Sequence, residues 1–198
     1  EFTTAGGASL GAPLDVNCSV APRVEYVYLS TLDQEFKPYS SAASAGPPSD
    51  VAEATTLDGS TVPFIVRVQT GTVNRAIYQS SMLHDPDDPE PDPWTGSRGW
   101  NGKLVYTHGG GCRNGWFRQG ASTGAVLQEG LLEMGFAVTS ASLNVFGQNC
   151  NDLLASETHI MVKERFVESY GEPVYTIGTG GSGGSYQSHQ TADNYPGV

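Results

Sequence analysis

Apolar and polar residues alternate along the first half of the chain in the manner of β-strands. The alternation is regular at residues 23–30 and 62–71, and a third β-rich run, at residues 73–83, follows a short turn. A period of two places successive side chains on opposite faces of a strand. We therefore predict strands over these three ranges. Residues 1–22 are rich in Gly, Ala, Ser and Pro, which predicts an irregular segment.

In the second half, short apolar runs alternate with stretches of helical spacing. The predicted strands are residues 103–108, 136–142 and 173–180, and the predicted helices are residues 121–135, 155–171 and 184–194. Repeated strand–helix units favour a parallel sheet that is covered by helices. We therefore predict an α/β fold over residues 23–198. Its sheet would be mostly parallel, with the antiparallel strands of the first half at its edge.

Residues 84–100 form a segment rich in proline and acidic residues. Proline removes a backbone donor and fixes φ, so we predict an exposed loop. The carboxylates could offer oxygen ligands to calcium, but their spacing matches no defined calcium loop, and a solvated acidic loop is favoured. These carboxylates are Asp85, Asp87, Asp88, Glu90 and Asp92.

Composition narrows the classes of partner. Of the 198 residues, 38% are hydrophobic and 16% are charged, which is too apolar for a disordered chain. The net charge of −11 argues against nucleic acid and anionic membranes as partners, since both need a surplus of Lys and Arg. The acidic, Gly-rich composition is common in secreted proteins. No Cys-x-x-Cys pair occurs, and we expect no metal and no cofactor.

One serine lies between pairs of glycines in the segment YTIGTGGSGGSYQSHQTADNYPG, residues 175–197. Gly180 to Gly184 fit the pattern G-x-S-x-G, and the predicted strand and helix flank the motif as a nucleophile elbow requires. Gly180 and Gly184 would allow strand and helix to approach closely. We predict that Ser182 is a nucleophile. A flexible linker is the alternative, but the flanking apolar strand and helix argue against it.

A second glycine motif follows a strand in the segment YTHGGGC. An H-G-G-G loop at such a point supplies a backbone N–H to the oxyanion hole of esterases and lipases. The predicted donors are the amides of Gly109 or Gly110 and of Gly183, the residue after the nucleophile. His108 and Gly111 would support the loop. The alternative is a simple tight turn. The order and spacing of the two motifs match an α/β-hydrolase core, so we predict that fold over residues 23–198.

Together these segments, with VQTGTVNRAIYQSSMLHDP upstream, resemble a family of secreted bacterial α/β-hydrolase-like proteins that is largely a domain of unknown function. The resemblance runs from about Val62 to the last residue. It implies a serine hydrolase of the esterase or depolymerase type, acting on a small or polymeric ester, with Ser182 as nucleophile. An amidase, a lactonase or a catalytically silent binding module would share the same sequence features.

The partners of a Ser–His–acid triad are not evident. His189 and Asp193 lie on the same predicted helix as Ser182, and His189 would be about 10 Å along it, which is too far for a general base. His84 and His159 fall in the acidic loop and on a helix face. We therefore expect the chain to be the N-terminal part of the enzyme. The acid and the histidine would come from a second chain or from a segment beyond residue 198.

The three cysteines, Cys18, Cys112 and Cys150, cannot all pair within one chain. Cys112 and Cys150 each follow a predicted strand of the parallel sheet, and loops after such strands share one sheet edge. We predict a Cys112–Cys150 disulfide that braces the glycine motif. The alternative is that Cys112 is a buried free thiol.

Overall fold

A mixed sheet of seven strands dominates the computed structural model, which describes residues 12–17, 19–40, 46–112, 122–195 and 197. The strands of this sheet are β1 (Arg23–Leu29), β2 (Phe36–Tyr39), β5 (Ile65–Val73), β6 (Ala76–Leu83), β7 (Lys103–Thr107), β8 (Ala137–Ala141) and β9 (Tyr175–Thr179). Strands β3 (Glu53–Thr55) and β4 (Thr61–Pro63) form a separate ribbon. The helices are α1 (Glu129–Glu133), α2 (Asp152–Tyr170) and α3 (Gly183–Asn194).

The prediction of a mostly parallel sheet of the α/β-hydrolase type is wrong. The order of the large sheet is β2-β1-β5-β6-β8-β7-β9. Within the described residues its pairings β1–β2, β1–β5, β5–β6 and β6–β8 are antiparallel, and only β8–β7 and β7–β9 are parallel. Short hairpins join neighbours in the first half, which forces antiparallel pairing. At the β5–β6 turn, Asn74 and Arg75 have φ of 52° and 58°, as a tight hairpin requires.

The helix predicted over residues 121–135 is also largely wrong. Residue 121 lies outside the described part of the chain, residues 122–128 are irregular, and only α1 is helical. The backbone of this segment hydrogen-bonds polar side chains of the sheet instead. Ser81 Oγ donates to the carbonyl of Val126 at 2.6 Å, and Thr107 Oγ1 donates to that of Ala125 at 3.0 Å. These bonds replace the bonds of a helix, so the segment lies extended on the sheet.

The other predicted elements lie close to the observed ones. Strands β1, β6, β7, β8 and β9 and helices α2 and α3 fall within a few residues of their predicted bounds. Residues 84–100 contain neither strand nor helix, as predicted. Strand β2 and the β3–β4 ribbon were not predicted, because strands of three or four residues carry too little alternation to be recognised.

The sheet buries both of its faces. On one face α2 packs Phe166 and Tyr170 against Leu104 of β7 and Met82 of β6. On the other face α1 contributes Leu132 to a second cluster, which also includes residues of β5, β8 and the ribbon. This double cover explains why β5, β6, β7 and β8 are buried along most of their length.

The two parallel pairings determine where a site can form. Strand β7 lies between β8 and β9. The connection from β7 therefore runs to β8 on one side, and the connection from β8 returns to β9 on the other side. The carboxyl ends of all three strands therefore meet at one edge, the usual position of a site in such a sheet.

No helix in the described residues is long and apolar enough to cross a membrane.

Candidate active site

Ser182 lies in the turn between β9 and α3, which we call the serine turn (residues 180–184). Its φ of 55° and ψ of −121° are outside the regions that non-glycine residues normally adopt. It occupies the N-cap position of α3, yet its side chain makes no capping hydrogen bond. A serine that served as an ordinary cap would have extended φ and ψ and would bond the first turn of the helix. Ser182 instead presents an exposed hydroxyl at the positive end of the helix dipole.

The serine turn packs directly on residues 108–111, which we call the glycine loop. A Cβ added to Gly180 or to Gly184 would lie 2.5 Å from the carbonyl oxygen of His108. A Cβ on Gly183 would lie 2.6 Å from the carbonyl oxygen of Gly111. Real Cβ atoms do not approach an oxygen so closely, so only glycine fits at these three positions.

The backbone amides of the glycine loop differ in what they bind. The Gly109 N–H donates to the carbonyl of Asn144 at 2.9 Å, and the Gly109 carbonyl accepts from Gln187 Nε2 at 3.0 Å. Within the described residues, the N–H groups of Gly110 and Gly183 donate to no protein acceptor. A Cβ added to Gly110 would lie 3.7 Å from the Gly183 nitrogen, so both residues border the same small space beside Ser182.

The His108 side chain holds the glycine loop against helices α2 and α3 through hydrogen bonds that no sequence motif indicated. Its Nδ1 lies 3.1 Å from Ser188 Oγ of α3, and its Nε2 lies 3.1 Å from His159 Nδ1 of α2. Tyr106 stacks on His159 with ring centroids 3.7 Å apart. Burial lowers the pKa of His108 to about 4 and holds the pKa of His159 well below its usual value, so both imidazoles are neutral near pH 7.

Sequence reasoning assigned no role to His159, Ser188, Asn144 or Gln187. Each hydrogen-bonds the glycine loop from a distance of more than thirty residues along the chain. The sequence carries a weak signal for one of them, because His159 belongs to the set of α2 residues, including Val162 and Phe166, that recur at three- and four-residue spacing on the buried face. Its partner could not be read from that spacing.

The remaining histidines do not reach Ser182. All four histidines of the chain lie in described residues, and none hydrogen-bonds the Ser182 hydroxyl. His84 is buried, with its Nδ1 3.2 Å from Ser97 Oγ. His189 is exposed on α3, two turns after Ser182, which corresponds to about 10 Å of helical rise. Asp193 lies one turn further along the same helix.

A cavity of about 380 Å³ opens beside Gly183 and Gly111. Phe146 and Tyr186 border it with their rings 6.0 Å apart, and the Tyr186 hydroxyl donates to Asp152 Oδ2 at 3.2 Å. This hydrogen bond, together with the Asp152 charge, raises the pKa of Tyr186. The cavity therefore offers an aromatic wall and one carboxylate next to the serine turn.

The Cys112–Cys150 disulfide is confirmed, and it forms another part of the cavity wall. It connects the end of the glycine loop to the segment that follows β8, whose Gly147 N–H donates to the Gly110 carbonyl at 2.8 Å. The alternative of a free Cys112 thiol is thereby excluded. Cys18 lies outside the described residues.

Several carboxylates of the acidic loop have protein partners. Glu90 forms an ion pair with the nearly buried Arg67 at 3.2 Å, and Asp88 pairs with Arg98 at 2.7 Å. Asp92 Oδ1 accepts from the N–H groups of Trp94 and Thr95. In the part of the chain that the structure describes, no group of three or more metal-binding side chains comes together.

Comparison with known protein families shows that residues 3–198 match a tannase-like family of unknown function (DUF6351). The chain belongs to this family. The match covers the sheet, the serine turn and the glycine loop, and a tannase-like family points to a hydrolase of the esterase type. No curated protein and no solved structure matches the chain.

Proposed function

We propose that the protein is a serine hydrolase that cleaves a carboxylic ester through an acyl-serine intermediate. The observation that carries the proposal is the backbone of Ser182. A non-glycine residue at φ 55° and ψ −121° costs about 1–3 kcal/mol, and such strain persists where the surrounding structure imposes it, commonly at functional sites. The strained turn exposes a hydroxyl with no capping role, beside the amides of Gly110 and Gly183, which donate to no acceptor among the described residues.

The reaction would proceed in two steps. Ser182 Oγ attacks the ester carbonyl carbon while a base removes its proton, and the carbonyl oxygen becomes an oxyanion between the amides of Gly110 and Gly183. The C–O bond to the alcohol then breaks, the proton passes to the departing alcohol, and the acyl-serine remains. Water, deprotonated by the same base, then attacks the acyl carbon, the bond from that carbon to Ser182 Oγ breaks, and the proton returns to Ser182 Oγ as the acid leaves. We assign the first amide to Gly110 because the Gly109 N–H is bonded to Asn144.

The base and the acid of the triad would come from residues outside 1–198, in a second chain or in a further segment. The motivation is the position of the four histidines, two of which are occupied with each other and none of which reaches Ser182. A further observation supports additional polypeptide at this edge. Strand β9 pairs only with β7 among the described strands, and it exposes Tyr175 and Ile177, with Val174 79% exposed. Such an apolar edge needs a cover.

An alkyl fluorophosphonate tests the proposal on the full-length protein. It should label Ser182 covalently, and Ser182→Ala should abolish both labelling and ester hydrolysis while its circular dichroism stays unchanged. A folded protein that is not labelled would instead be a binding module without catalysis. Parallel assays with p-nitrophenyl esters, anilides and lactones would distinguish an esterase from an amidase or a lactonase.

We also infer an extracellular location. The disulfide is consistent with an oxidising compartment. The net charge of −11 and the glycine-rich composition agree with secretion. Immunodetection of the protein in cells and in culture medium would test this inference.

A further inference from the structure

Three buried or partly buried side chains form a continuous hydrogen-bonded chain beneath the glycine loop. His159 of α2 contacts His108 at 3.1 Å, and His108 contacts Ser188 of α3 at 3.1 Å. Ser188 Oγ in turn donates to the carbonyl of Gly184 at 3.1 Å. This series of hydrogen bonds therefore begins at His159 on α2, passes through His108 of the glycine loop and ends at Gly184 in the first turn of α3, two residues after Ser182.

The number of hydrogens on these side chains determines which group donates and which accepts in each hydrogen bond. A serine hydroxyl carries one hydrogen, and Ser188 uses it for the Gly184 carbonyl. Ser188 Oγ must then accept from His108 Nδ1–H, which leaves His108 Nε2 unprotonated. His108 Nε2 can therefore accept from His159 Nδ1–H. In this arrangement every donor in the chain has an acceptor.

The opposite direction would leave a donor without a partner. His159 Nε2 is buried and has no hydrogen-bond partner among the described residues. If His108 Nε2 carried the hydrogen, His159 Nδ1 would have to accept it, and a neutral His159 would carry its own hydrogen on the isolated Nε2. An N–H that is buried without an acceptor loses its hydrogen bond to water and gains none in return. In the first direction Nε2 is an unpaired acceptor rather than an unpaired donor, and the Ser188 hydroxyl keeps its hydrogen bond to the Gly184 carbonyl, so the first direction is favoured.

We propose that His159 is a positioning residue for the hydrolase reaction: its Nδ1–H holds His108, and through His108 it sets the distance between the glycine loop and the serine turn. This inference rests on the proposed function for its catalytic consequence. His108 is also held by its own N–H, which donates to the Thr179 carbonyl of β9 at 2.8 Å. The His108 carbonyl is in close contact with Gly180 and Gly184.

The catalytic consequence follows from the position of the free amides. Gly110 lies two residues after His108, and Gly183 lies in the turn against which the His108 carbonyl packs. A rotation of His108 would therefore change the gap between the two oxyanion donors. Because such donors act on the transition state, their displacement should lower kcat and leave KM nearly unchanged.

The first test needs no activity. Nitrogen-15 NMR of the imidazoles in the full-length protein at pH 7 should show His108 and His159 both neutral and both protonated at Nδ1. Protonation of His108 at Nε2 would overturn the proposed direction. Hydrogen exchange supplies a second readout. The Gly109 amide should exchange about tenfold faster in His159→Phe and at the wild-type rate in His159→Asn, and an unchanged rate in His159→Phe would refute the positioning role.

The two variants separate the hydrogen bond from packing. Phenylalanine keeps a ring against Tyr106 but has no donor, whereas asparagine places an amide N–H where Nδ1 was. We expect kcat to fall about tenfold to a hundredfold in His159→Phe and to remain within about threefold of wild type in His159→Asn. Equal losses in both folded variants would overturn the hydrogen-bond role. If the wild type shows no ester turnover, the proposed function fails, and the NMR and exchange results still decide the inference.

Discussion

Gly110 faces Ser182 so closely that a Cβ on Gly110 would lie 3.6 Å from the Ser182 Cβ and 2.9 Å from the Gly181 carbonyl oxygen. Gly110→Ala should therefore push the glycine loop away from the serine turn. We expect kcat for ester hydrolysis to fall at least about a hundredfold, as when one oxyanion donor is lost. Steady-state kinetics on the full-length protein would measure the change.

Gly130→Ala is the matched control for this substitution. Gly130 lies in α1, and an added Cβ would meet nothing within 4 Å. Alanine in that helix should leave kcat unchanged and stabilise the fold by up to about 1 kcal/mol. If Gly110→Ala and Gly130→Ala were equally active, the glycine loop would not be part of the catalytic site.

Replacing Ser182 by glycine should abolish activity and, because the backbone of Ser182 is strained, raise the free energy of unfolding. Glycine adopts φ 55° and ψ −121° without steric cost, whereas alanine retains the Cβ. Both Ser182→Gly and Ser182→Ala should be inactive. Only Ser182→Gly should raise the free energy of unfolding, by about 1 kcal/mol, because the relieved strain slightly exceeds the added entropy of the unfolded glycine. Urea denaturation of the two variants side by side would reveal the difference, and equal stabilities would contradict the strain.

The disulfide should contribute substantially to stability. Cys112 and Cys150 are 38 residues apart, and closing a loop of that length stabilises a fold by about 3–4 kcal/mol. The double variant Cys112→Ser, Cys150→Ser should lose that amount in urea denaturation and should also lose kcat, because the bond ends the glycine loop. Cys18→Ser, which leaves this pair intact, is the control. A double variant as stable as Cys18→Ser would argue against a stabilising role.

The buried histidines make stability depend on pH. Burial lowers the folded-state pKa of His108 to about 4 and holds the pKa of His159 well below its usual value, while an unfolded histidine titrates near 6.5. The unfolded state therefore binds more protons between these values. The stabilisation is fully present above about pH 6.5 and is lost as the pH falls towards 4. For His108 alone the loss between pH 7 and pH 5 should be about 2 kcal/mol.

Unfolding free energies at several pH values would measure this dependence. In the double variant His108→Gln, His159→Asn, the free energy of unfolding should change less steeply with pH below pH 6.5. The variant lacks two imidazoles whose pKa values differ between the folded and unfolded states. It keeps His84, whose pKa is also lowered by burial, so a residual slope of the same sign should persist. An unchanged slope would show that the pair is not buried in neutral form.

The position of the catalytic base gives the last prediction. His189 is exposed and lies two turns from Ser182, so His189→Ala should retain most of the activity of the full-length protein. Residues 1–198 expressed alone should not turn over esters, because no histidine there reaches the Ser182 hydroxyl. An active preparation of residues 1–198, free of other polypeptide by mass spectrometry, would contradict this. His108 would then be the first residue to substitute.

Local features of the sequence determined the serine turn, the acidic loop and most of the strands and helices. The crowding around Ser182 leaves Gly180, Gly183 and Gly184 no room for side chains, so glycines mark the turn in the sequence itself. Likewise, the period of two in the sequence of β1 and the three- and four-residue spacing of buried residues in α2 arise from the geometry of one segment. The pairing of Cys112 with Cys150 could be predicted because both follow strands that end at one sheet edge.

Tertiary structure alone decided which of these features act together. Strand direction depended on which neighbours paired, so the sheet proved mostly antiparallel although its second half has strand–helix repeats. Residues 122–128 are not helical as predicted, because carbonyl groups of this segment accept hydrogen bonds from side chains of β6 and β7. Our proposal of Gly110 rather than Gly109 as an oxyanion donor rests on a tertiary contact, the hydrogen bond from the Gly109 N–H to the Asn144 carbonyl. Hydrogen-bond partners more than thirty residues apart leave no periodic trace, because the chain between them can take many paths.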